Sequence, residues 1–158
     1  MDAVENQGSR GRAIKAMDIA KMIDYSLLKP QLTKRELSEG CREAMKYHCA
    51  SVCVKSADVS YAWELCRESD VFVKTVVGFP HGNCLDEVKN FEARLALAQG
   101  CREIDMVMNI GAFKSGEYDV VAREVRLLAD SCHAAGARLQ VIMENAYLTK
   151  EEIVKACR

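Results

Sequence analysis

An α/β fold built on a parallel sheet is what the sequence predicts, on two observations. Short apolar, β-branched segments alternate strictly with longer segments of helical spacing, giving five strands in 158 residues. Such alternation implies parallel strands joined by right-handed crossovers. The alternating unit is about 30 residues, the size of one βα module, and no linker or low-complexity stretch divides the chain.

The elements follow in order. MDAVENQGSRGR (1–12) lacks the apolar core of a signal peptide and reads as a flexible tail ahead of a folded domain over 13–158. A helix is expected from Ala13 to Met22, then a short strand in IDYSLL. Thr33–Glu36, TKRE, is a capping box in which the Thr33 hydroxyl accepts from a first-turn N–H and Glu36 reaches back. The helix it opens runs to Tyr47. ASVCV (50–54) is short, apolar and β-branched, hence a strand. A helix covers Asp58–Glu68, and VFVKTVVGF (71–79) is the clearest strand, closed by Gly78, Pro80 and Gly82. Leu85, Val88, Phe91 and Leu95 recur at helical spacing until Gly100. EIDMVMN (103–109) is a strand, and Val120, Val121, Val125, Leu128 and Ala129 mark a helix within 117–135. RLQVIMEN (138–145) is the fifth strand, and TKEE (149–152) is a second capping box opening a last helix.

Composition excludes several function classes. Net charge is −1 and the pI is near 6.3, so no basic face for nucleic acid is implied. No apolar run approaches the roughly 18 residues needed to cross a bilayer, and a cytoplasmic setting is expected. Eight cysteines, at 41, 49, 53, 66, 84, 101, 132 and 157, form no C-x-x-C pair. They read as free thiols acting as small buried hydrophobes in a reducing compartment. His48, His81 and His133 are too scattered for a zinc site.

Two architectures fit the alternation: an open doubly wound sheet and a (β/α)₈ barrel. A barrel takes about 250 residues, so length alone favours the open sheet. No G-x-G-x-x-G follows the first strand, and there is no Walker motif.

Five separated stretches change that balance. MIDYSLLKP (22–30), ASVCV (50–54), TVVGFPHG (75–82), EIDMVMNIGAFKSGEY (103–118) and VIMENAYLTKEEIVKAC (141–157) resemble the deoxyribose-phosphate aldolases in order and spacing, from about residue 19 onwards. The resemblance implies a TIM (β/α)₈ barrel with about five of its eight βα units in this chain. It implies a class I aldolase that uses no metal or cofactor and cleaves 2-deoxy-D-ribose 5-phosphate, a small phosphosugar, to acetaldehyde and D-glyceraldehyde 3-phosphate. In the family a sixth strand carries the Schiff-base lysine in a KTSTG-like motif, and a later GFKPAGG-like motif carries a second lysine. Neither motif occurs in the sequence.

The site residues follow strand by strand. In EIDMVMN, alternation sets Asp105, Val107 and Asn109 on one face and Ile104, Met106 and Met108 on the other. In a barrel the second set packs under the helices and the first faces the lumen. A lumen carboxylate must be paired, hydrogen-bonded or protonated, and Asp105 matches the family's proton-relay aspartate, whose partners are expected on the strands not present. Asp24 and Cys53 are further lumen candidates by resemblance; Tyr25 stands where the family has a histidine. Gln140 and Glu144 are expected to share a face, and Gln140 replaces a lysine common in the family, which removes a positive charge. His81 reads as loop structure. Lys74, in FVKTVVGF, superficially resembles the Schiff-base strand, but its register is that of the third strand, and a solvated or rim lysine is expected. Five barrel strands leave two sheet edges open, which invites pairing and is compatible with a homo-oligomer. The alternative to an aldolase is therefore a non-catalytic shortened chain acting only through association with another chain.

Overall fold

The structure, a computed structural model, describes residues 14–158. The expected flexible tail over residues 1–12, and Ala13 at the start of the first predicted helix, lie outside the described residues. The elements run α1 (Ala16–Ala20), β1 (Asp24–Leu27), α2 (Lys34–Lys46), β2 (Ser51–Val54), α3 (Val59–Cys66), β3 (Phe72–Val77) and α4 (Asp86–Ala98). They continue through β4 (Glu103–Val107), α5 (Ile110–Lys114), α6 (Tyr118–Ala134), β5 (Arg138–Ile142) and α7 (Lys150–Ala156). Both predicted capping boxes form: Thr33 accepts from the Glu36 N–H and Thr149 from the Glu152 N–H, and each glutamate returns a bond to its threonine's N–H.

The five strands are all parallel and lie in the order β1-β2-β3-β4-β5. A doubly wound sheet reverses its strand order at a switch point and carries helices on both faces. Here every crossover steps the same way. Val52, Val54, Val73, Val77, Ile104 and Met106 of the strands share one core with Leu37 and Cys41 of α2, Val59 and Ala62 of α3, Ala93 of α4 and Leu128 of α6. All the large helices thus cover one face, and the other face carries Cys53, Lys74, Asp105 and Gln140. The open-sheet expectation from length is corrected: the fold is a five-strand arc of a (β/α)₈ barrel.

Local departures from the sequence reading have local causes. A short helix absent from the sequence reading, α5, forms at 110–114 with Gly111 inside it, and Asn109 caps it by accepting from the Ala112 N–H at 3.1 Å. The apolar stripe that signals α4 does not face the core. Leu85, Val88, Phe91 and Leu95 are 70, 52, 64 and 49% exposed, and the helix buries Lys89, Ala93 and Ala96 instead.

Buried charges hold the carboxyl ends of β3 and β4. Lys89 is fully buried, donates to the Val107 carbonyl at 2.8 Å and pairs with Glu124 of α6. The second Glu124 oxygen accepts from the Asn109 N–H at 3.1 Å, and Glu92 accepts from the Gly78 N–H at 3.1 Å. The Lys89 stem passes beneath Gly78, where a Cβ would lie 2.8 Å from Cε. Gly82 is the second constrained position: φ is +67°, and a Cβ there would run into the Met108 carbonyl. Gly82→Ala combines left-handed strain with that backbone clash, so it should cost about 1–3 kcal/mol, read as a lowered urea midpoint.

Candidate active site

The inner face of the arc converges on one ammonium group. In register, Cys53 sits beside Lys74, Lys74 beside Glu103, and Asp105 beside Gln140. Lys74 is fully buried, and its Nζ lies 2.9 Å from Asp24, 2.7 Å from Glu103, 3.0 Å from Gln140 Oε1 and 3.0 Å from Asp105 Oδ1. Four strands, β1, β3, β4 and β5, therefore meet at this atom. The expectation of a solvated or rim lysine is corrected. Lys74 shares the lumen face with Phe72 and Val76, two residues to either side, and none of its side chain is exposed.

An ammonium has three protons to donate. Those of Lys74 are directed at Asp24, Glu103 and Gln140. Asp105 therefore receives charge from the ammonium but no aligned N–H bond, and its Oδ1 is a buried acceptor with no hydrogen-bond donor. The expectation that the partners of Asp105 lie on strands not present in the chain is corrected in part, since Lys74 of β3 is an ion-pair partner within the arc.

The titration of the cluster follows from this geometry. Burial would depress Lys74, but its hydrogen bonds to Glu103 and Asp24 and the negative charge of Asp105 outweigh it and hold the amine well above its ordinary value, as an ammonium. Burial pushes the Asp105 carboxyl up; Lys74 pulls it back only partly, Glu103 and Asp24 add repulsion, and the net shift is upward. Asp24 is also pushed up by burial, but hydrogen bonds from Ser51 and Lys74 bring it below its ordinary value. Burial, with repulsion from Asp105, pushes the Cys53 thiol up to about 12, which leaves it protonated and unreactive.

The remaining candidates sort by position. Asp24 accepts from Lys74 at 2.9 Å, and Cys53 sits beside Lys74 in register on β2. Tyr25 points to the helix side, donating to Glu43 at 2.6 Å, so it does not replace a lumen histidine. Glu144 falls beyond β5 with φ +56° and does not share the face of Gln140. His81 is exposed in the turn after β3. All eight cysteines are free thiols, six of them buried. Sequence reasoning missed Glu103, Lys89 and Glu124. Glu103 has Asp105's parity on β4, and Lys89 shares the buried spacing of Ala93 and Ala96 on α4; either periodicity could have marked them.

No family model matches the sequence. Among curated relatives, a deoxyribose-phosphate aldolase from Thermococcus gammatolerans is 48% identical over 143 residues, covering 89% of this chain and 64% of the relative. One from Mycoplasma mycoides is 45% identical over 137 residues, covering 87% of this chain and 69% of the relative. The chain belongs to the deoxyribose-phosphate aldolase family. The tetrameric deoxyribose phosphate aldolase of Aeropyrum pernix superposes with a TM-score of 0.81 at 28% identity, over 88% of this chain and 58% of that one. The chain spans 61–64% of the length of the first three curated relatives, which matches five of eight βα units. Within the deoxyribose-phosphate aldolase framework, Gln140 was expected to remove a positive charge. In the structure the Gln140 amide oxygen accepts from the Lys74 ammonium of the third strand at 3.0 Å.

Removing that ammonium should be costly. Lys74→Met leaves three carboxylates without their cation, a loss of about 3–5 kcal/mol at neutral pH. The deficit should shrink as pH falls, because Asp105, whose carboxyl is already raised, then binds a proton in the folded state. In the unsubstituted chain the two aspartates act oppositely. Asp24 stabilises above its ordinary 3.8 and loses that contribution as pH falls through its lower folded value. Asp105 stabilises below 3.8 and loses its contribution as pH rises through its raised value. Urea unfolding across this pH range reads both effects.

Proposed function

We propose that the chain supplies the proton-handling wall of a class I aldolase site that cleaves 2-deoxy-D-ribose 5-phosphate to acetaldehyde and D-glyceraldehyde 3-phosphate. The observation that carries the reading is the buried, donor-less Oδ1 of Asp105, 3.0 Å from an ammonium. A carboxylate with an unused acceptor and a raised affinity for protons is suited to passing protons in both directions.

The steps assign Asp105 its work. An amine adds to the substrate aldehyde to give a carbinolamine, and a proton delivered to its hydroxyl lets water leave, forming an iminium. A base removes the C3 hydroxyl proton; the C2–C3 bond breaks, its electrons form an enamine, and glyceraldehyde 3-phosphate departs. Protonation of the enamine carbon regenerates an iminium, which water hydrolyses to acetaldehyde and the free amine. Asp105 takes and returns these protons, while Lys74 keeps Asp24 ionised and holds Glu103 in place by a hydrogen bond. Lys74 is unfit to be the attacking amine, because an ammonium ringed by carboxylates has no lone pair to offer. The imine-forming lysine belongs to a strand outside this sequence. No metal or cofactor enters these steps.

The predominance of buried free thiols supports a reducing, cytoplasmic setting. Among the described residues no helix is long and apolar enough to cross a membrane, and the small phosphosugar remains the expected ligand. One observation favours the second reading, a non-catalytic chain that acts by pairing: β1 and β5 lie at the two ends of the sheet order.

Mixing the chain with a polypeptide carrying the last three βα units of the Thermococcus gammatolerans relative, and assaying acetaldehyde release, separates the readings. Turnover that Asp105→Asn lowers by about 10²–10⁴-fold is the expected result; turnover indifferent to Asp105→Asn contradicts the assignment, and no turnover at all favours the second reading. Borohydride reduction in acetaldehyde should leave Lys74 unmodified by mass spectrometry, and an ethyl adduct there would overturn its assignment as a permanent ammonium.

A further inference from the structure

The amino ends of β3, β4 and β5 border a cavity of about 420 Å³. This is the opposite end of the arc from the loops on which a barrel builds its reaction site. Three guanidinium groups line it: Arg67, just after α3, and Arg102 and Arg138, at the starts of β4 and β5. The Arg102 N–H donates to the Val73 carbonyl at 2.9 Å and the Arg138 N–H to the Arg102 carbonyl at 3.1 Å. The backbone thus fixes both residues at adjoining points of one rim. At Gly136, two residues before Arg138, a Cβ would meet nothing within 4 Å, so the mouth is open there.

The three cations lack directed acceptors. An arginine offers five N–H donors in a rigid fork, and none of these three side chains donates a hydrogen bond among the described residues. Arg67 lies 3.7 Å from Glu64 and 3.8 Å from Glu68, and Arg138 lies 3.9 Å from Glu103. Those contacts are longer than hydrogen bonds, and Arg102 has no ion-pair partner among the described residues. The carboxylates that line the same cavity are committed elsewhere. Asp70 holds Lys21 at 2.8 Å and His48 at 3.0 Å, and Glu103 holds Lys74 at 2.7 Å. The chain as a whole carries a net charge of −1, so three unsatisfied guanidiniums in one concavity are a local feature rather than a share of a basic surface.

We propose that this cavity is an anion site that takes one phosphate group, free or carried on a small ester, between Arg67, Arg102 and Arg138. The ligand class follows from the donors: guanidinium forks match phosphate oxygens with paired N–H bonds, and a phosphate dianion presents oxygens to all three. The volume lies within the range of small-molecule sites. Trp63 forms a wall of the same cavity. A Cβ at Gly100 would run into its indole, and the Arg67 guanidinium lies 5.4 Å over the ring, so the indole senses whatever that guanidinium binds. The proposal goes beyond the aldolase reading and does not depend on it. The usual phosphate site of a barrel lies at the carboxyl ends of the strands, on the loops after the seventh and eighth, whereas these three arginines lie at the amino ends.

Trp63 is the one tryptophan of the 158-residue chain, so its fluorescence reads the cavity directly. The chain is titrated with inorganic phosphate and with glycerol 3-phosphate, and with sodium chloride to the same ionic strength. Emission should follow a saturating curve with a midpoint of about 1 mM or below for a phosphate ligand. Arg102→Gln and Arg138→Gln, both at exposed positions, should each raise that midpoint by about tenfold with the circular dichroism unchanged. Arg126→Gln, exposed on α6, should leave it in place. A lower midpoint for glycerol 3-phosphate identifies the ligand as a phosphorylated small molecule, and an equal or lower one for inorganic phosphate identifies the free ion; either supports the proposal. A response without saturation, or no larger than that to sodium chloride, overturns it. So does a midpoint that Arg102→Gln or Arg138→Gln fails to move, or that Arg126→Gln moves as far.

Discussion

A single buried ammonium organises the inner face of this arc. Lys74 joins Asp24 of β1, Glu103 and Asp105 of β4 and Gln140 of β5 through one nitrogen atom. Removing a charge from water is costly unless it is paired and hydrogen-bonded, and here the ammonium's whole donor capacity is met. The same arithmetic leaves the surplus on the acceptor side. Four acceptors, three carboxylates and the Gln140 amide oxygen, crowd one cation with three protons; Gln140 takes one proton, so one carboxylate goes without a directed donor, and it is Asp105. A lumen with an excess of acceptors is what proton transfer needs: a group already satisfied has little reason to take a proton, whereas Asp105 does.

The scaffold around this cluster is fixed from the helix side. Lys89 and Glu124, buried between α4 and α6, reach the backbone at Val107 and Asn109, while Glu92 reaches Gly78. These contacts lie at the carboxyl ends of β3 and β4, the end of a barrel where sites are built from loops. Charges on the outer helices thus set where the strand ends stop, and the strands set where Lys74 and Asp105 meet. The same helix, α4, turns Lys89 inwards and its apolar stripe outwards.

Much of this was legible in the sequence. Strict alternation gave the parallel α/β class, both capping boxes located helix starts, and period-two parity in EIDMVMN turned Asp105 to the lumen. The closure of the sheet was not legible from length, because an arc and an open sheet share the same alternation and differ only in strand order. Lys74 was misjudged because a lone lysine in an apolar strand is ambiguous until the neighbouring strands supply their carboxylates. Those partners lie 29 to 66 residues away, and no local pattern reports such a distance. The α4 stripe misled for a related reason: periodicity reveals that a helix has an apolar face, not which way that face turns.

The account rests on Asp105 being the under-served member of the cluster, and carboxyl carbon NMR of Asp105 measures that directly. Its midpoint should lie above the ordinary aspartate value of 3.8, and it should climb further when Lys74→Gln removes the cation 3.0 Å away while keeping a polar side chain. A midpoint below 3.8, or one indifferent to Lys74→Gln, would mean that another donor already serves this oxygen and that the ammonium is not the organising charge.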